Sequence, residues 1–298
     1  MKTLLIFTRR NIKLFFKDKG MFFTSLITPI ILLVLYATFL GKIFRDTYSS
    51  AMPGLEEKLI SGAVGGQLLG ALLSVSCVTV AFCSNFLSVS DKVTGASNDI
   101  DITPFPKAEM ALSYYLSTLF STLIICYFTV FISLIYIGII GWYLSFADVL
   151  FILLDVLLIC MFGTVLSSVA VFFLSSQGQI SAVGAIISAG YGFICGAYMP
   201  ISQFGDGLRK VLSFFPGTYA TSLIKNHTLR GVFDEMEQKG IPEEAISSLR
   251  ETMDCDIFFN GKSVGITGMY AVLLITIGVL ILLYMTLQVV KINKLNRK

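Results

Sequence analysis

Six apolar runs divided by polar stretches set the pattern of the chain: residues 21–40, 60–89, 108–140, 148–174, 180–198 and 266–288. Crossing the hydrocarbon core takes about 20 apolar residues as a helix, since an unpaired backbone amide is intolerable there. Each run therefore predicts a transmembrane helix. The second to fourth exceed what a crossing needs and should tilt or extend past the lipid. Six crossings place both termini on one side.

Two further segments are apolar without being long enough to cross. In residues 1–19, Leu4, Leu5, Ile12, Phe15 and Phe16 gather on one side of a helical wheel, and Lys2, Arg9, Arg10, Lys13 and Lys17 on another. That pattern suits a helix lying in the inner headgroup layer, or else a solvated basic flank. After the fifth run, Leu208, Val211, Leu212 and Phe215 fall at i, i+3, i+4 and i+7, a helical apolar stripe. Pro216 then begins a second short helix bearing Tyr219, Leu223 and Ile224. Two short helices that each need an apolar partner predict a re-entrant or interfacial hairpin against the outer ends of the spans.

Composition agrees with this pattern. Hydrophobic residues make up 55% of the 298 and charged residues only 14%, against roughly 25% charge in a soluble domain. A net charge of +3 is too small to point to nucleic acid. Its placement says more. The head carries Lys2, Arg9, Arg10, Lys13, Lys17 and Lys19, and the tail Lys291, Lys294, Arg297 and Lys298. The loop after the third run is uncharged and holds Trp142 and Tyr143, an interfacial anchor. Both termini are therefore expected in the cytoplasm of a multi-pass cell-membrane protein. The first run is too long, and its flanks too basic, for a cleaved signal peptide.

Candidate chemistry is sparse. Cys77, Cys83, Cys126, Cys160, Cys195 and Cys255 have no metal-site spacing and read as small core hydrophobes. His227 stands without a nearby cysteine or acid cluster, and "NGKS" at 260–263 has Asp256 where a phosphate loop needs its first glycine. Asp155 lies inside the fourth run, so it is either functional or structurally paired. Gly184, Ser188, Gly192 and Gly196 recur every fourth residue, as do Gly62, Gly66 and Gly70. Such stripes allow close helix approach, within the subunit or along a pathway. Residues 232–262 form an external insert with a helix start at Pro242-Glu243-Glu244, either a cap or a passive loop.

The loop between the second and third runs, "SDKVTGASNDIDITPFPKAEM", is more acidic than basic, so an anionic inner leaflet repels it. Its order Asp91-Lys92, Gly95, Ile100 or Ile102, then Thr103-Pro104 resembles the coupling segment of type-2 ABC transporter permeases. The later order Gly196, Met199-Pro200, Phe204, then Phe215-Pro216-Gly217-Thr218-Tyr219 is similar to that family's mark after the fifth span. The family's arginine, glutamate and leucines near the glycine are absent; Val93, Thr94, Ser97 and Asn98 stand there instead.

The resemblance implies an all-α integral membrane protein, a single transmembrane permease domain over 1–298. It would have six transmembrane helices, an N-terminal amphipathic interfacial helix (1–20), a cytoplasmic coupling segment (90–107), and an outer re-entrant helical hairpin with an extracellular insert (199–265). Asp91, Lys92, Gly95, Asp99, Asp101 and Pro104 would couple to an ATPase, and Met199, Pro200, Phe215, Pro216 and Tyr219 would belong to an outer gate. The implied function is the membrane subunit of an exporter for a drug, peptide or lipid-linked cargo. The chain itself would be no enzyme and bind no cofactor. ATP and magnesium would sit in cytoplasmic ABC ATPase partners, beside a second permease chain, identical or paralogous. A secondary transporter or channel would need intramembrane ionisable networks. A membrane enzyme would need clustered His, acids or a nucleophile. A non-transporting assembly subunit is the remaining alternative.

Overall fold

The computed structural model describes residues 2–51, 54–103, 106–259 and 261–295. Helix α1 (Lys2–Lys17) leads into α2 (Lys19–Leu35), whose first turn is capped by the Asp18 carboxylate accepting from the Met21 amide. One π-turn (Tyr36–Leu40) carries α2 into α3 (Gly41–Ala51). Then come α4 (Glu57–Val93), α5 (Ala96–Asp101), α6 (Lys107–Ile140) and α7 (Phe146–Phe172). Helices α8 (Gln177–Ile194), α9 (Asp206–Leu212), α10 (Pro216–Gln238) and α11 (Glu243–Thr252) follow. A small antiparallel hairpin, β1 (Ile257–Phe259) with β2 (Lys262–Val264), precedes α12 (Ile266–Leu295).

Five helical stretches are long and apolar enough to cross a membrane: Lys19–Ser50, Glu57–Val93, Lys107–Ile140, Phe146–Phe172 and Ile266–Val290. The protein is a multi-pass membrane protein, all-α among the described residues apart from one short hairpin. Helix α4 is the axis of the bundle, buried on every side along most of its length, with α2, α6, α7, α8 and α10 packed around it. Glycines make that crowding possible. A Cβ on Gly163 of α7 would lie 2.8 Å from the Cys77 carbonyl oxygen, so the α4–α7 crossing brings backbones nearly into contact.

The first crossing runs past its expected end at Leu40, through the π-turn, as far as Ser50. Gly41 closes that turn with its amide donating to the Tyr36 carbonyl. Stacking of Tyr36 on Phe44 and the pairing of Arg45 with Glu57 hold the extension against α4. Helix α1 is amphipathic as expected, but it is not simply laid on lipid. It packs on α6 with Thr8, Asn11 and Phe15 buried, while Leu5 and Ile6 stay exposed.

Helix α8 carries the fifth expected run but is not among those five stretches. It begins Gln177-Gly178-Gln179 and holds four glycines and two serines in 18 residues, which dilute its hydropathy. Its start is a capping box between Ser176 and Gln179. The segment after α8 also departs from the expected pair of short helices. Helix α9 is short, but α10 has 23 residues and spans about 34 Å at the helical rise. Pro216 sits at its start, where the missing N–H is no loss. Helices α8 and α10 lie end to end along α4. Gly184 faces Phe86, Gly70 and Gly66 receive Lys225 and Thr228, and Lys239 pairs with Glu56 at 2.6 Å. The Thr218 hydroxyl donates to the Ile194 carbonyl at the join.

Candidate functional site

Two polar clusters stand out in this apolar bundle. The first is at the C-terminal end of α4, where it meets α5. Asp91 is buried and accepts from Arg10 of α1 at 2.9 Å and from the Tyr114 hydroxyl of α6 at 2.6 Å. Arg10 also donates to Asn11 Oδ1. Lys92 reaches the carbonyl of Leu174, just past α7, at 3.3 Å. One acid and one lysine thus bolt the foot of α4 to α1, α6 and the end of α7. Charge-assisted bonds to a buried carboxylate are the strong kind.

Beyond this foot the chain turns at Gly95, whose φ of +82° is the left-handed region that favours glycine. The Gly95 amide donates to the Lys92 carbonyl, and its carbonyl accepts from Asn98 at the start of α5. Helix α5 stands out from the bundle. Val93, Thr94, Asn98 and Asp99 are exposed, and Ile102, just after the helix, is 85% exposed. Asp101 is the last residue of α5; Pro104 lies outside the described residues. The predicted coupling residues therefore divide. Asp91 and Lys92 face inward as anchors, and the exposed surface belongs to Val93, Asp99 and Ile102.

The second cluster joins α7, α10 and α12. Asp155 is fully buried, with Oδ2 at 2.6 Å from His227 Nδ1 and Oδ1 accepting from the Tyr270 hydroxyl at 2.7 Å. Phe151, one turn earlier on α7, stacks on the His227 ring at 5.0 Å between centroids. Two residues back on α10, Lys225 is fully buried and donates to the carbonyls of Gly196 and Met253 at 3.0 and 3.1 Å. Asp254, 3.9 Å from Lys225, accepts from the amides of Ile201 and Ser202. Burial works to push the Asp254 carboxyl above its usual range, while the Lys225 charge and these amides pull the other way. Arg250 completes the cluster by donating to Asn226 Oδ1 and to both oxygens of Asp256.

The expected gate residues fall in two places around these contacts. Met199 and Pro200 lie in the loop that Asp254 holds, and Gly196 turns there with a φ of +75°. A Cβ on Gly196 would meet Asp254 Oδ2 at 2.9 Å. Gly192 lies under the Tyr198 ring, and the Tyr198 hydroxyl donates to the Ser188 carbonyl. Phe215 packs edge-on to Tyr191, and the buried Tyr219 donates to the Ser213 carbonyl at 2.7 Å. Within α9, Leu212 is buried but Leu208 and Val211 are exposed, as is Phe214 just beyond.

The family model described as ABC-2 type transporter matches residues 2–226, about three quarters of the chain. The chain belongs to the ABC-2 type transporter family. It is an ABC transporter permease, a transmembrane subunit that the family match does not endow with a nucleotide-binding motif. No curated protein matches the chain.

The matched segment takes in the foot of α4, α5, the Gly196–Tyr219 region and Lys225 of the permease, and stops one residue before His227. Three functional-looking groups of this permease escaped the sequence. His227 has an acidic partner after all, but 72 positions away. Lys225 directly follows Tyr219, Leu223 and Ile224 of the expected short helix and carries no signal of its own. Cys77, Cys126 and Cys160 come from three spans, and their sulfurs lie within 4.8 Å of one another. Only the position of Asp155 inside an apolar run signalled the network in advance.

Proposed function

We propose that this permease is the membrane subunit of an ABC exporter, moving an amphipathic or hydrophobic cargo outward under the drive of separate ATPase subunits. The observation that carries this reading is the arrangement around α5. An exposed acidic helix projects from a foot whose Asp91 and Lys92 lock α4 to α1, α6 and α7. Force applied to α5 by a docked partner would move those helices together instead of bending a loop. ATP and magnesium belong to that partner, and nucleotide acts by favouring one of two packings of the bundle.

Helices α8 and α10, joined end to end along α4, together supply the sixth crossing in two pieces, with α9 and the Met199–Pro200 loop inserted at the break. On this reading both termini lie in the cytoplasm of a cell-membrane protein, and α9 with the start of α10 lies beside the outer exit. Small residues exposed on α8, Ser181, Ala182, Ala185 and Ala189, offer a close-packing surface for a second permease chain. The cargo class follows from the apolar, hydroxyl-rich spans, which hold little fixed charge.

A proton-driven transporter would draw on Asp155 and His227, so reconstitution separates the readings. Proteoliposomes holding the permease with its ABC ATPase should move an amphipathic fluorescent dye only when ATP and magnesium are supplied on the ATPase side. Flux through the permease alone, driven by a pH gradient without nucleotide, would overturn the proposal.

A further inference from the structure

The mid-bundle thiols carry the inference furthest. Cys77 on α4, Cys126 on α6 and Cys160 on α7 are each fully buried, and their three sulfurs lie within 4.8 Å of one another. Packing alone asks nothing of the kind, since a small hydrophobe in any of three helices can face lipid or any neighbour. Three soft donors converging from three helices make a trigonal ligand set.

The surroundings choose what can fill it. Sulfur ligands select soft ions over magnesium, calcium or manganese, which want oxygen. A bond of about 2.3 Å to each sulfur puts the sulfurs of a three-coordinate centre about 3.5 Å apart where a lone pair makes it pyramidal and about 4.0 Å apart where it is planar, both within the spacing present. Structural zinc takes four ligands, and among the described residues no fourth His, Cys, Asp or Glu joins the trio. Charge decides between the remaining ions. Binding requires the thiols to lose their protons, so three thiolates around a divalent ion leave one net negative charge and around a monovalent ion two. None of the hydrogen bonds described for the three thiols comes from a basic side chain, and an unpaired buried charge is strongly disfavoured. A trivalent soft centre on three thiolates is neutral.

We infer that Cys77, Cys126 and Cys160 form a three-sulfur site for a trivalent thiophile of the arsenic and antimony class. The step balances without an oxidant or a charged species. Uncharged arsenous acid, As(OH)3, exchanges its three hydroxyls for three sulfurs; each thiol proton leaves with a hydroxyl as water, and arsenic stays trivalent. Neutral reactant and neutral product both suit a membrane interior. The bound ion would staple α4, α6 and α7 to one another at the centre of the bundle.

The test uses the full-length permease, reduced, in detergent, with sodium arsenite as the probe. Intact mass spectrometry should show one arsenic gained and three hydrogens lost per chain, and X-ray absorption should show three sulfur neighbours. Cys77→Ser, Cys126→Ser and Cys160→Ser should each lower the apparent affinity by at least tenfold, whereas Cys83→Ser and Cys255→Ser should leave it unchanged. Cys126→Ala, which adds no hydroxyl to the core, gives a second reading if the serine variant misfolds. An unmodified mass, a centre with only two sulfurs, or an adduct that survives both Cys126 substitutions would overturn the assignment.

Discussion

His227 and Asp155 show how much a single buried contact decides in this bundle. The carboxylate answers both the imidazole and the Tyr270 hydroxyl, so α7, α10 and α12 meet at one side chain. Removing one partner of a buried pair strands the other and typically costs about 3–5 kcal/mol. Asp155→Ala should therefore lower the melting temperature of the purified permease in detergent by a readily measured amount. Asp155→Asn keeps an acceptor for Tyr270 and should lose less. An alanine variant melting with the parent would show that the contact contributes nothing to the bundle. The sequence displayed Asp155 because a carboxylate within an apolar run is conspicuous. It hid His227, since a lone histidine in a polar stretch announces no partner. Cys77, Cys126 and Cys160 were hidden for the same reason. Each sits in its own span with no local spacing, and only helix packing brings them together.

At the scale of elements, close approach is set by glycines. A Cβ on Gly66 would lie 2.7 Å from the Thr228 carbonyl oxygen and 2.8 Å from Leu229 Cδ2, while Gly70 receives the Lys225 side chain at 3.0 Å. Gly66→Leu should push α10 away from α4, and overpacking of this kind costs about 1–3 kcal/mol. The loss should appear as a lower melting temperature and as new protease sensitivity in the α10–α11 region. Gly178→Ala, where nothing lies within 4 Å, should leave both unchanged. Equal behaviour of the two variants would contradict the packing described. Helices α4, α6, α7 and α12 were legible within a few residues because apolar composition alone demands them in lipid. Helix α10 was not. Its Lys225, Asn226, His227 and Thr228 are polar and fall just past the expected short helix, yet each is buried and bonded to protein. Hydropathy counts the polar atoms and cannot see their partners. The end of the first crossing was missed likewise, because Arg45 and Glu57 meet across a turn.

For the whole molecule, α4 carries Asp91 and Lys92 of the first cluster and Cys77 of the thiol trio, and its Gly70 receives Lys225 of the second. Its C-terminal foot is fixed by Asp91 and Lys92, its middle crosses α7 at Gly163 and holds Cys77, and its N-terminal half receives α10. A push delivered at α5 would reach the outer helices through this one rod. The acidic loop and its glycine were visible in the sequence. Their division into inward anchors and an outward face was not, since it depends on where α1 and α6 pack. The most direct measurement is capture of the partner. A tagged permease purified from its native membrane should bring down an ABC ATPase in stoichiometric amount. The Asp99→Lys, Ile102→Glu double variant, with the same elution profile and melting temperature, should bring down at least tenfold less. Undiminished capture by that variant would contradict the account, because the motor would then be docking somewhere other than α5.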